Sequence, residues 1–229
     1  MRLLLFMESY YCGGVDTFVI NLINNWPGDA DELILACNAN HAGLENIKTS
    51  LKRPCRVIEN KMKIFTGFFV KIRKLSVFDR CLFLILKLLA PILRYLFLIY
   101  NIFALRRVFG QIGADRLLVI NGGYPGGDSC RAATISWGLL REKPLSIHNF
   151  HGIVTKPRWH IKIQEYFVDA LMSKFTKTFV TVSDAAAKTM SCRKIIYKNN
   201  KILTVYSGIE LNQNETTLDI KREIGMPID

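Results

Sequence analysis

Between Arg80 and Ala114 the sequence contains no aspartate and no glutamate. Other signals are missing too. It has no GxGxxG run and no CxxC pair, and none of its six cysteines has a histidine at metal-ligand spacing. A dinucleotide fingerprint, a zinc site and a disulfide framework are thereby disfavoured. A bilayer span requires roughly 20 mostly apolar residues. The longest uncharged run of the acid-free region, Tyr95 to Leu105, is shorter than that, and Lys87, Pro91 and Arg94 interrupt the centre. The opening MRLLLFMESYYC has too short an apolar run for a signal peptide and no small-residue cleavage site. A reducing, cytoplasmic location is the expectation. Internal repeats and low-complexity tracts are absent.

What is present is an uneven distribution of charge. The chain of 229 residues is half hydrophobic and carries a net charge of +12. Residues 61–107 hold ten Lys or Arg against Asp79 alone, so the remainder is close to neutral. Within that stretch Arg73, Arg80, Lys87, Arg94 and Asn101 fall seven apart, which on a helix traces one slowly drifting stripe. Three readings compete for it: a spanning helix, a core helix, and a helix lying in the membrane interface. A core helix would usually pair its cations with acids at i+4, and no acid is available locally. A broad apolar face with a cationic edge suits anionic headgroups, because Lys and Arg stems bury while their charges reach the lipid. The interfacial reading is favoured, with Arg73, Arg80, Lys87 and Arg94 as the contacting cations. A nucleic-acid partner is not expected, since the cations are embedded among aliphatic residues rather than polar and exposed aromatic ones.

Taken in order, the chain alternates strands and helices. Arg2–Met7, Glu32–Cys37, Arg56–Glu59, Arg116–Asn121, Leu145–Phe150, Thr178–Val182 and Lys201–Tyr206 read as strands. Helical spacing covers Val15–Trp26, the basic-apolar region (kinked or broken at Pro91), Ser129–Leu140, Trp159–Phe175 and Asp184–Met190. The pattern predicts an α/β fold, a single Rossmann-like open parallel sheet with flanking helices and a helical insertion at 61–107. In such sheets the ligand crevice lies beyond the carboxyl ends of the strands.

Four loops would gather there. Gly13-Gly14, at the start of a helix, leaves backbone NH groups free to approach an anion, or simply makes a tight turn. Gly122-Gly123-Tyr124-Pro125-Gly126-Gly127, following Asn121, allows close approach of a ligand and equally suits any tight loop. His148 and His151 close a strand, where a histidine can donate a hydrogen bond or handle a proton. Ser183 is placed to cap the helix after it.

The ordered set GGVDTFVINLINNWP, NFHG, TFVTVSDAAAKTM and KILTVYSGIEL resembles the amino-terminal domain of GT-B-fold, family-4-like glycosyltransferases that build bacterial surface glycans. The resemblance covers nearly the whole chain. It implies residues 1–211 as the acceptor-side half of a two-domain enzyme. Residues 212–229 would open a linker to a donor domain that the sequence does not contain. It also implies a nucleoside-diphosphate sugar as donor substrate and a glycan or lipid-linked acceptor, with no cofactor or metal. Gly13 and Gly14 would approach the donor diphosphate, and His151 would serve as the catalytic residue beside the transferred sugar. Asn121, Gly122, Gly123, His148 and Ser183 would line the acceptor cleft. The location implied is peripheral, on the inner face of the cytoplasmic membrane. Ser207 stands where the family commonly has Asn. With the donor domain missing, the chain alone is expected to be a poor or inactive catalyst, and a non-catalytic membrane- or partner-binding module is the alternative.

Overall fold

A computed structural model describes residues 1–8, 12–63, 65, 68 and 80–208, and for 80–87 the backbone only. Arg73 and the expected linker at 212–229 lie outside the described residues, as do the side chains of Arg80 and Lys87.

Short runs of branched and aromatic residues make β1 (Arg2–Met7), β2 (Glu32–Asn38), β3 (Cys55–Asn60), β4 (Arg116–Asn121), β5 (Ser146–Phe150), β6 (Thr176–Thr181) and β7 (Lys201–Thr204). They form one parallel sheet in the order β3-β2-β1-β4-β5-β6-β7. The central strands are buried on both faces, as their nearly continuous apolar runs require. Chain order reverses between β1 and β4, and the crevice at such a switch point is where ligands bind in open sheets.

The period of two along each strand divides the core. Leu3, Leu5 and Met7 of β1, with Leu33 and Leu35 of β2, face α1 (Gly14–Asn24) and α2 (Leu44–Ser50) through Val19, Ile23, Leu44 and Ile47. Leu4, Phe6, Ile34, Leu117 and Val119 face the opposite layer. That layer comprises α3 (Arg80–Ile112), α4 (Asp128–Gly138) and α5 (Lys162–Phe175). Two short helices, α6 (Asp184–Thr189) and α7 (Lys194–Asn199), complete the chain. The predicted Rossmann-like sheet is therefore present. Helices α2 and α7 were not among the expected elements, because each buries too few residues to show helical spacing.

The basic-apolar region differs from expectation in a specific way. α3 is one helix that runs through Pro91 without a break. Leu98, Ile102, Leu105, Phe109 and Ile112, spaced four, three, four and three apart, form its core face. Phe109 meets Phe6 of β1 and Trp137 of α4 edge to face, with ring centroids 5.9 and 6.3 Å apart. The opposite face is apolar as well and is open, with Leu88 79%, Ile92 57%, Leu96 54% and Phe103 62% exposed. The stripe expected to meet headgroups points inward at both of its described side chains. Arg94 is bound bidentately by Asp128 at 2.8 and 2.9 Å. Asn101 is buried and donates to the Lys63 carbonyl at 3.0 Å. The acid that is absent at i+4 comes from another helix, so the contact assigned to Arg94 is corrected: it anchors α3 to the body.

Candidate functional site

A cavity of about 1100 Å³ opens at the carboxyl edge, at the β1/β4 switch point, with α3 as its wall. Its floor includes Glu8 just past β1 and Asn121 at the end of β4. The loop Gly122–Ser129 forms one side, and Pro91, Arg94, Phe97 and Asn101 of α3 form another. The loop closes tightly on the segment after β5. A Cβ on Gly126 would lie 2.3 Å from the Gly123 carbonyl oxygen, and one on Gly152 would lie 2.5 Å from that of Gly122. These two glycines are thus demanded by close backbone approach. Tyr124 is buried beneath the loop and donates to Asp169 Oδ1 at 2.6 Å.

Along the cavity wall runs a chain of buried and partly buried ion pairs that ties three helices together. Asp128, at the start of α4, holds Arg94 of α3 and also Arg131. Arg131 and Arg193 converge on Glu165 of α5 at 3.0 and 2.7 Å, and Arg193 reaches on to Asp169 at 3.2 Å. Tyr95 of α3 donates to Glu165 as well, at 3.0 Å. Burial would push the Glu165 carboxyl upward, but the two guanidiniums outweigh it and hold the group at about 2. Each of these three cations is matched by carboxylates, so this cluster presents no unpaired positive charge to the cavity.

Glu8 behaves in the opposite way. Burial raises its carboxyl to about 7, against a lowering hydrogen bond from Asn38 and with a further raise from Asp128. Oε1 accepts from Asn38 Nδ2 at 3.3 Å, while Oε2 is buried without a partner among the described residues. The sequence reading missed Glu8, although a carboxylate directly after a strand of a parallel sheet is a usable signal.

The other expected residues divide between two places. Asn121, Gly122 and Gly123 line the cavity. Gly13, Gly14 and His151 lie on the α1 side of the edge. There the His151 ring packs on Phe18 of α1 at 4.2 Å, and its backbone NH donates to the Asn121 carbonyl at 3.0 Å. His151 Nε2 is buried without a partner among the described residues, and burial lowers its pKa, so the neutral imidazole is favoured. Gly13 is extended and its NH donates to Asp16 Oδ2 at 3.1 Å. Asp16 is in turn held by His41 Nε2 at 3.0 Å. Among the described residues an added Cβ at Gly13 or Gly14 would meet no atom within 4 Å, so neither their packing nor backbone geometry requires glycine there.

Two assignments are corrected. His148 is not on the cleft but wholly buried in the core, where it shares a hydrogen bond of 3.0 Å with Thr134. Burial, then Arg131, lowers its pKa to about 3. Its position on β5, two residues before Phe150, places it on the helix-covered face. Ser183 caps α6 by accepting from Ala186 N at 3.1 Å and does not border the cavity.

No protein-family model and no curated protein matches the chain. Among solved structures it is similar to UDP-GlcNAc 2-epimerase from Neisseria meningitidis bound to UDP-GlcNAc, with a TM-score of 0.48 and 10% identity. The likeness covers 89% of this chain and 45% of that one, so this chain spans less than half of that protein's length. It is a likeness in the layout of strands and helices.

Proposed function

We propose that this chain is the acceptor-side half of a membrane-associated glycosyltransferase, working with a nucleoside-diphosphate sugar held mainly by a second domain. The observation that carries the reading is the cavity at the switch point, whose wall is a helix with an open apolar back. An acceptor whose head enters the cavity while its lipid tail stays in the bilayer matches that pairing of surfaces.

In this reading Gly13 and Gly14 leave room for the donor diphosphate at the start of α1, where the helix dipole favours an anion and the diphosphate would compete with Asp16 for the Gly13 NH. Neutral His151 stands beside that space against Phe18, and in this reading the imidazole serves the sugar once the donor domain and substrate are in place. No metal-binding group of three or more His, Cys, Asp or Glu occurs among the described residues, and none is invoked. The apolar back of α3 takes the membrane contact first assigned to Arg94, beside Arg73, Arg80 and Lys87, with Trp159, Ile163 and Phe167 nearby in sequence to the exposed cations Lys156, Arg158 and Lys162.

The test is transfer of label from radiolabelled nucleoside-diphosphate sugars to a membrane extract, by the chain alone and with a donor domain supplied. Incorporation with the donor domain, abolished by His151→Ala, is expected. Absence of incorporation from every donor in both preparations would sink the catalytic claim. A second reading, a non-catalytic membrane-binding module, is favoured by one observation: the arginines of the buried cluster are already matched by acids and offer a diphosphate nothing. It predicts vesicle binding without transfer in any combination.

A further inference from the structure

The ends of four neighbouring strands carry a row of polar residues, three of which have a buried side-chain atom without a partner among the described residues. Asn38 of β2 pairs in register with Asn60 of β3. Phe6 pairs with Ala36 and Met7 with Ile120, so Glu8 follows at the level of Asn38 on one side and Asn121 on the other. Alternation sets all four on one face, since Phe6, Ala36, Ile58 and Val119, two residues earlier in each strand, lie on the α3/α4 side. Asn60 is 7%, Asn38 2%, Glu8 6% and Asn121 2% exposed. Yet Asn60 Nδ2, Glu8 Oε2 and Asn121 Nδ2 have no partner among the described residues. Leaving one such group unpaired is costly, and three in one row are not an accident of packing.

We propose that Glu8 and Asn121, with Asn38 holding the Glu8 carboxyl in place, form the hydroxyl-binding floor of the cavity and receive a saccharide ring of the acceptor. The alternation of acceptor and donor selects the ligand. A hydroxyl can give its proton to Glu8 Oε2 and accept one from Asn121 Nδ2. A phosphate only accepts and would leave Glu8 Oε2 unmet, while an ammonium only donates and would leave the Asn121 amide unmet. The cavity's remaining walls include Pro91, Phe97, Ile153 and Ile161, apolar surfaces suited to the C–H faces of a sugar ring. At about 1100 Å³ the cavity exceeds the needs of one hydroxyl. The charged and titratable groups that share the cavity with Glu8 are Asp128 of α4, Arg94 of α3, which Asp128 neutralises, Lys63 beyond β3, Lys156, Arg158 and His160 of the segment after β5, and the paired Glu165 and Arg193, with Cys130 of α4 close to Glu8.

This inference rests on the acceptor-side reading but is tested separately from transfer. Saturation-transfer NMR on the full chain, with a panel of methyl hexopyranosides and maltose as probes, should show at least one binder. Glu8→Gln and Asn121→Ala should each weaken that binding roughly ten-fold while leaving the thermal melt cooperative. Wild-type binding should strengthen from pH 6 to pH 8 as the better acceptor, the carboxylate, is populated, and Glu8→Gln should lose that dependence. Binding unaffected by either substitution, a flat pH response in the wild type, or no binding by any probe overturns the proposal. Loss of the row with transfer intact leaves the transferase reading standing. Saccharide binding without transfer in any combination does the reverse.

Discussion

Glu165 is the carboxylate on which two buried guanidiniums depend. Removing one partner of a buried ion pair leaves an uncompensated charge, so Glu165→Gln should cost about 3–5 kcal/mol of stability in urea denaturation. Gly13 offers the contrary case. Because its surroundings are empty and its backbone extended, Gly13→Ala should leave stability within about 0.5 kcal/mol, while any activity that needs close diphosphate approach falls. Equal losses of melt and activity would remove Gly13 from the site. At this scale the sequence was readable where a residue's neighbours are local. Ser183 caps the helix that follows it, and Asn121 and Gly122 sit at a strand end beside a crevice. It was unreadable where the partner is remote. Nothing around His148 announces Thr134 and Phe179 above it, and nothing around Arg94 announces Asp128, 34 positions away.

The helices show the same division by distance. The spacing of Val15, Val19 and Ile23 identifies α1 because one face is buried and the other wet. In α3 both faces are apolar, so periodicity could not say which one meets the sheet. The choice is made by Phe109 filling the space between Phe6 and Trp137, and by Asn101 and Arg94 finding partners inside. The outward face then supplies a direct test. Ile92→Glu with Leu96→Glu should leave the fold intact, since both side chains are more than half exposed, and should release the protein from anionic vesicles in a flotation assay. Retention on vesicles by the double variant would reject α3 as the docking element. Reversing Arg94 is the wrong experiment, because it would set a second carboxylate against Asp128.

For the molecule as a whole, two carboxylates set opposite slopes of stability with pH. Glu165, held at about 2, is ionised in the fold at pH values where the unfolded chain, near 4.5, takes up a proton. Its contribution is complete above about pH 4.5 and is lost as pH falls toward 2. Glu8, raised to about 7, keeps its proton in the fold where the unfolded chain has released it, so stability declines as pH rises from about 4.5 to 7. Thermal melts should therefore peak near the lower end of that interval, and Glu8→Gln should flatten the decline, a change on the order of 3 kcal/mol at pH 8. A wild-type melt that rises between pH 5 and 7 would contradict this placement of Glu8. The parallel sheet itself was legible throughout, since strand, helix and glycine-bearing loop recur in order. The polar row was not read as a unit, because its members are separated by about 20 to 60 positions and meet only through strand register.

The inverted helix has a consequence at the bench. What fastens α3 to the body is the buried face from Leu98 to Ile112 and a partly buried ion pair, which salt screens less than an exposed one, and what it shows to the outside is aliphatic, which kosmotropic salts drive together. Raising sulfate should therefore not loosen α3; it should make molecules cluster back to back along Leu88, Ile92, Leu96 and Phe103. A mild detergent should reverse the clustering and leave the cavity side as it was.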